Sequence, residues 1–386
     1  MLKKVFIQAF CKYPHGGALA NYVESLAKAI SYAGYKVVLI TDLNEEYEES
    51  EQKHFEMFDA VYITKPSKDI EMRRHQGKCG FAKERLEAMK QEQIEKDDVV
   101  IILGIYNEYM LNKLFADRDN IGFKVICAVL ELFTVNDYKS PEGFYKINHI
   151  KEEVYIQADA ILLISDFIDR HYNEKGVCTY KFPPMIDYDS TKRVLKHNNR
   201  RKFIIPTGKD SFGNMLKAFG ELTAQELSEL EIHICSVKEV DARDVLGKAA
   251  WSKVKEHIII HDWMRYEELE ELYSKMHFLL IAREECQRTL ANFPSKVPET
   301  MAYGIVPIVS DVGDYTKYYL EDGKNSIFIH GDSVDEIVNS IRKAIQLSEK
   351  EYNRYSMEAI ECAKDRFDYR NWKSKIQNMM EELTVI

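Results

Sequence analysis

The sequence predicts an α/β protein made of two Rossmann-like, doubly wound domains in series. Three observations carry that expectation. At 386 residues the chain is long for one domain and ample for two. Short β-branched apolar runs alternate with amphipathic stretches along its length, the pattern of parallel sheets covered by helices. A polar, strongly charged and aperiodic segment at residues 187–201 then separates two such series of similar size. The expected boundaries are 1–187 for the N-terminal domain and 188–365 for the C-terminal domain, with a final amphipathic helix over 366–386.

The first βαβ unit is the clearest. An apolar run from Lys4 to Phe10 leads into the loop Tyr13-Pro14-His15-Gly16-Gly17. A helix follows with Leu19, Tyr22, Val23, Leu26, Ile30 and Ala33 on one face. Gly34 is placed to end it, and Lys36 to Thr41 reads as the next parallel strand. Further strands are expected near 60–63, 99–103, 125–129 and 160–164. The second series falls near 202–206, 231–235, 257–260, 278–281, 306–310 and 326–329. Between Lys68 and Lys96 lies a helical stretch rich in Arg and Lys, among them Arg73, Arg74, Lys83 and Arg85. It reads either as a solvated face or as a surface turned toward an acceptor or a membrane. In doubly wound sheets ligands bind outside the carboxyl ends of the strands, which places the expected site in a cleft between the domains.

Composition narrows the function classes. Hydrophobic residues make up 45% and charged residues 30%, an ordinary globular balance. A net charge of −10 opposes a nucleic-acid footprint, which needs a basic domain. No apolar run approaches the ~20 residues of a membrane span, and the N-terminal run is too short for a signal peptide. The seven cysteines are scattered singly, without the close pairs that hold zinc, and read as buried reduced thiols. The expectation is a cytoplasmic protein, with peripheral contact at the inner face of the membrane left open.

The most informative stretch runs from Asn292 to Asp311. It reads as a loop, a short helix, a Gly turn and a buried strand. Ser295 is placed to cap the helix and Pro298 falls in its first turn. The helix N-terminus would suit a phosphate. Lys296 and Glu299 stand three apart, about 4.5 Å along the axis and on one face. A cation for a diphosphate and a carboxylate for ribose hydroxyls need about that separation. Taken alone, the pair fits an exposed i,i+3 ion pair equally well.

Phe293-Pro294-Ser295-Lys296, then Glu299, then Met301-Ala302-x-Gly304-x-x-Pro307-Ile308-Val309 resembles the donor-site motif of glycosyltransferase family 4. Those are GT-B enzymes, typically retaining and metal-independent. Gly16-Gly17-Ala18 with the helix after it is similar to the family's first loop and helix. Ile164-Ser165-Asp166-Phe167 resembles the stretch closing its N-terminal domain. His261-Asp262-Trp263-Met264 resembles the segment that meets the nucleotide base. The resemblance implies a GT-B fold, two Rossmann-like domains facing a cleft. It implies a nucleotide diphosphate-sugar as donor and no cofactor. The acceptor would be a glycan, a lipid-linked sugar or a protein. Carried across, Glu299 would bind the ribose, and Trp263 and Met264 would border the base. Lys209 and Lys296 would neutralise the diphosphate, with Ser295 beside them, and Gly16 and Gly17 would let the loop approach the donor. Electrostatic neutralisation by lysines would replace a metal, and no Asp-x-Asp motif is present. The last helix would pack back on the N-terminal domain.

One departure stands out. The family carries a first Glu eight positions before its second, and here that position is Ala291. Asn292, Arg288 or Arg283 would supply the missing polar contact to the donor sugar, or else each is an ordinary exposed side chain. Where many relatives have a His near the sugar, this chain has Glu131, which would orient or deprotonate an acceptor hydroxyl or else is a surface residue starting a helix. His15 is a similar candidate. Two functions fit: glycosyl transfer, with glycan or polysaccharide assembly as its commonest setting, or a catalytically silent GT-B protein that binds glycan or a partner enzyme.

Overall fold

The apolar runs form strands, and every strand pairs in parallel with its neighbours. The computed structural model describes residues 3–385 except 12, 15–16, 42–51, 53, 192, 194–199 and 207–211. The chain divides into two compact units. One joins Met1–Met185 to Tyr369–Ile386, and the other is Ile186–Asp368.

In the first unit the strands are β1 (Lys4–Ala9), β2 (Lys36–Thr41), β3 (Ala60–Ile63), β4 (Val99–Leu103), β5 (Lys124–Val129), β6 (Ala160–Leu163) and β7 (Thr179–Lys181), ordered β3-β2-β1-β4-β5-β6-β7. In the second they are β8 (Arg201–Pro206), β9 (Leu230–Cys235), β10 (Ile258–His261), β11 (Phe278–Ile281), β12 (Val306–Ser310) and β13 (Ile327–Ile329), ordered β10-β9-β8-β11-β12-β13. Register is set by apolar side chains: Ile7 lies between Leu39 and Ile101, and Ile204 lies between His233 and Leu279. Strand order reverses between β1 and β4 and again between β8 and β11. Those reversals are the switch points where ligands of such sheets sit. The α/β, doubly wound expectation therefore holds.

Both faces of each sheet are covered, which is why its strands read as near-continuous apolar runs. In the second unit Phe203, Ile205, Ile232, Ile234, Phe278, Leu280, Val306 and Ile308 form one buried layer. Helices Phe212–Glu221, Glu239–Val254 and Val334–Gln346 cover it. In the first unit the helix Ala18–Tyr32 buries Tyr22, Val23, Leu26 and Ile30 as its periodicity predicts, and the N–H of Tyr35 closes its end on the carbonyl of Ile30.

Two readings need correcting. Strand β7 was not expected. Its three residues, Thr179-Tyr180-Lys181, are too few and too polar to stand out, and pairing with β6 makes the strand. The basic stretch after Lys68 is two helices, Ile70–Lys78 and Ala82–Gln91, split where Gly80 and Phe81 take φ of 60° and 55°. Arg73, Arg74 and Lys83 are exposed, but Arg85 is wholly buried. Its guanidinium donates to the carbonyls of Ala9 and Ile40 at 3.3 and 3.4 Å, under the carboxyl ends of β1 and β2.

The helix Lys373–Val385 belongs to the first unit. Ile376, Met379, Met380 and Leu383 are fully buried, and it packs on the helix Ala18–Tyr32. Gln377 Nε2 donates to Ala33 O (3.0 Å), Tyr180 Oη donates to Glu382 (2.9 Å), and Trp372 lies against Phe182 with ring centroids 5.7 Å apart. Among the described residues no helix is long and apolar enough to cross a membrane. Ile376→Ala is expected to destabilise the first unit by about 2–5 kcal/mol, the cost of a buried cavity. Urea unfolding followed by the fluorescence of Trp372, in a chain with Trp251 and Trp263 replaced by Phe, checks this.

Candidate functional site

The parallel pairing gathers the loops that follow β9, β10, β11 and β12 at one edge of the second sheet. The loop 292–295 is anchored there by Phe293. It is 4% exposed, and its ring meets those of Tyr315, Tyr319 and Phe367 at centroid distances of 5.8, 5.6 and 5.9 Å. Helix Lys296–Met301 follows, and Gly304, at φ 69°, turns the chain into β12. A Cβ on Gly304 would fall 2.5 Å from Ser356 Oγ, so no other residue fits that turn without displacement.

Ser295 does not cap this helix. Its backbone is already helical (φ −57°, ψ −25°) and its hydroxyl makes no capping bond, whereas a capping residue needs an extended backbone. The first turn closes instead through Val297 N–H to Pro294 O and Glu299 N–H to Ser295 O. With only six residues and those N–H groups engaged, the helix leaves charge recognition to its side chains.

Those side chains meet. Lys296 Nζ donates to Glu299 Oε2 at 2.7 Å, with Glu299 buried at 8% exposure and Lys296 at 27%. This is a half-sheltered, charge-assisted contact and not the exposed pair that the spacing alone allows. Burial pushes the Cys235 thiol up to about 11 while Lys296 opposes the shift. Burial also holds the Tyr273 phenol well above its ordinary value, and Glu299 and Cys235 add to it.

At the end of β10 the segment after His261 exposes the Trp263 indole (65%), with Met264 half-buried beside it. His261 Nε2 lies 2.8 Å from His233 Nδ1, the rings are stacked at 13°, and His233 Nε2 lies 2.6 Å from Glu231. Burial lowers the pKa of His233 against the pull of Glu231, and burial lowers that of His261. Ser236, directly after β9, holds φ 61°, and its N–H donates to His261 O.

At the ends of β11 and β12, Arg283 N–H donates to Ser310 Oγ (2.9 Å) and Arg283 Nη1 donates to Asn292 Oδ1 (2.8 Å). Ala291 is completely buried, so its position presents nothing to a ligand. Lys209 follows β8 and lies outside the described residues.

In the first unit Gly16 and His15 also lie outside the described residues. Gly17 has φ 63° and ψ −143°, backbone that only glycine adopts without strain, and a Cβ there would meet nothing within 4 Å. Glu131 stands in the loop after β5, half-buried, and does not start a helix. Lys151 Nζ donates to the Glu131 carbonyl at 2.7 Å and lies over the rings of Tyr106 and Phe133, 5.3 and 5.4 Å from their centroids. Lys151 is 3% exposed, and burial pushes its ammonium down to about 8 despite Glu131 and Glu152. It sits in the π-turn Ile150–Val154, a backbone form that recurs at functional sites.

The structure thus joins Lys296 to Glu299 and Asn292 to Arg283, with Ser295 in the same loop and Trp263 and Met264 after β10 at the edge of the same sheet. It places Gly17 and Glu131 on the other unit. Lys151 and the His233–His261 pair were not foreseen. Lys151 carries a faint signal, a lone cation in the apolar register of Ile150, Val154 and Tyr155. The histidines carry none, because strand register alone brings them together.

Comparison with known proteins follows the same division. Residues 191–361 match the family model described as Glycosyl transferases group 1. No curated protein matches. Solved structures cover nearly the whole chain at low identity. A glycosyltransferase from Rickettsia africae ESF-5 superposes with a TM-score of 0.68 at 14% identity, covering 99% of this chain and 98% of its own. Anabaena HepE, solved with UDP and glucose, gives 0.69 at 11% identity, covering 98% and 100%. A variant of S. aureus TarM, solved with fondaparinux, α-GlcNAc-glycerol and UDP, gives 0.70 at 7% identity, covering 99% and 100%. The fold is GT-B.

Phe293→Ala is expected to cost the second unit about 3–5 kcal/mol, because its ring is enclosed by three others. Scanning calorimetry checks this. A loss under 1 kcal/mol would show that the loop 292–295 is held by something else.

Proposed function

We propose that this chain transfers a sugar from a nucleotide diphosphate-sugar to a hydroxyl acceptor. The observation that carries the reading is the sheltered Lys296–Glu299 pair, inside the segment that matches the group 1 glycosyl transferases. The UDP and sugar complexes of HepE and TarM, proteins of the same fold, support it.

In this reading Glu299 accepts hydrogen bonds from the ribose hydroxyls. Lys296 and Lys209 face the diphosphate, and Trp263 and Met264 border the base. A carboxylate already held by an ammonium is ready for such a ligand, since the incoming diphosphate takes up the cation. Transfer breaks the bond between the anomeric carbon and the β-phosphate oxygen, and the diphosphate leaves with the electron pair. A new bond forms from the acceptor oxygen to the anomeric carbon, and the hydroxyl proton passes to a base, a role Glu131 suits. Two ammonium groups beside the leaving group stabilise its developing charge, so the reaction is read as metal-independent. Retention of configuration, a hexosyl donor and a setting in glycan or polysaccharide assembly complete the proposal. The acceptor is a glycan, a lipid-linked sugar or a protein.

The buried Ala291 favours a second reading, a protein that keeps the fold and binds glycan or a partner without transfer. One screen separates the two. Thermal shifts with UDP, GDP and ADP and their sugars should show stabilisation by one base. It should reach roughly 2.7 kcal/mol at a hundred times Kd, with slow release of that nucleotide from its sugar. No shift with any nucleotide sinks the transferase reading. Lys296→Ala should weaken the nucleoside diphosphate about tenfold or more, the worth of a lost charge-assisted contact, and leave the nucleoside nearly unchanged. Equal losses for both would remove Lys296 from the phosphate site.

A further inference from the structure

The groups at the carboxyl edge of the second sheet are spread along it in a definite order. Trp263 and Met264 follow β10. Lys296 and Glu299 act on Cys235, the last residue of β9, and on Tyr273. Arg283 follows β11. Arg283 also reaches the end of β12, where its N–H meets Ser310 and its charge opposes the burial that pushes the Tyr315 phenol up to about 12. With strands in the order β10-β9-β8-β11-β12, β9 and β12 are three inter-strand spacings of about 4.8 Å apart, roughly 14 Å. A nucleotide diphosphate-sugar is an elongated ligand of that scale. With its base at β10 and its ribose at β9, its transferred sugar falls at β11 and β12.

The cation waiting there is Arg283. Its side chain is half-buried and held by the neutral amide of Asn292 at 2.8 Å. Among the described residues it forms no ion pair, and its sequence neighbours Glu284 and Glu285 are exposed and form none with it. A guanidinium offers five N–H groups in a planar fork that matches a carboxylate in two parallel hydrogen bonds. Burying it beside an amide, with Ala291 closed off in the core, leaves a positive charge where a neutral sugar needs only dipoles. Asn292 sets the direction of the fork, because its amide fixes Nη1.

We propose that Arg283, oriented by Asn292, is a specificity-determining residue for a donor whose sugar carries a carboxylate, a nucleotide diphosphate-uronate. This rests on the nucleotide-sugar reading above and narrows it to one class of donor.

Isothermal titration calorimetry on the full chain tests it. The ligands are UDP, UDP-glucose and UDP-glucuronate, with GDP, GDP-mannose and GDP-mannuronate as the second series. Wild type is expected to bind the uronate about tenfold or more tighter than the neutral hexose on the same base. Arg283→Gln is expected to bring that ratio close to one while the free nucleotide stays within about twofold. Arg283→Lys, which keeps the charge but loses the fork, should retain part of the preference. Melting curves of each variant confirm that it is folded. A wild-type ratio of one or below overturns the proposal. So does an Arg283→Gln loss that is equal for free nucleotide, hexose and uronate, which would assign the guanidinium to the diphosphate. Nucleotide binding without uronate preference sinks only this inference, whereas no binding by any nucleotide sinks the donor reading as well.

Discussion

Everything at the candidate site depends on one constraint, that all strands of each sheet run parallel. Parallel pairing forces each strand to be followed by a crossover, so every loop leaving a carboxyl end emerges at the same edge. Residues far apart in sequence, such as Cys235, His261, Arg283 and Ser310, become neighbours along that edge without any local signal to bring them together. The aromatic cluster around Phe293 then fixes how the loop 292–295 lies over it. Chemistry at the edge is therefore stabilised from below, by core residues that never touch a ligand.

The same constraint explains what the sequence discloses. Strands buried on both faces must be apolar throughout, so twelve of them are legible as short β-branched runs. The Lys296–Glu299 spacing is legible because helical geometry is local. Strand β7 is not, since pairing with β6 and not its own composition makes it a strand. The Ser295 cap fails for a related reason. Ser followed by a helix fits the pattern of a cap, but the backbone dihedral that decides the matter is not a property of the residue type, and here it is already helical. Arg283–Asn292 and His233–His261 are tertiary pairs, and only the fold reveals which of several neighbouring polar residues meet.

Buried or half-buried cations that donate to neutral oxygens recur near the strand ends of both units. Arg85 lies under the ends of β1 and β2 and is directed at backbone carbonyls, Lys151 holds the Glu131 carbonyl between two aromatic rings, and Arg283 rests on an amide. Burying a charge costs free energy that dipoles and ring faces only partly offset. For Arg85 and Lys151 the environment lowers the pKa, a direct mark of that cost. In a chain of net charge −10 these cations spend hydrogen bonds on backbone and amide oxygens, with Glu131 and Glu152 acting on Lys151 from nearby.

Ala291 takes on a different meaning in that light. Read from the sequence, it is a missing carboxylate at the sugar end of a donor site. In the fold its methyl group is part of the core, and the nearby polar pair is Arg283 with Asn292. On the proposed reading a cation serves where the resemblance implies an anion. A carboxylate accepts hydrogen bonds from sugar hydroxyls and repels an acidic sugar, whereas a guanidinium donates to hydroxyls and attracts one. Had a carboxylate simply been lost at position 291 of a working site, a charge of the opposite sign would have no reason to be held in place by an oriented amide. Its presence favours a donor site retuned over a donor site abandoned.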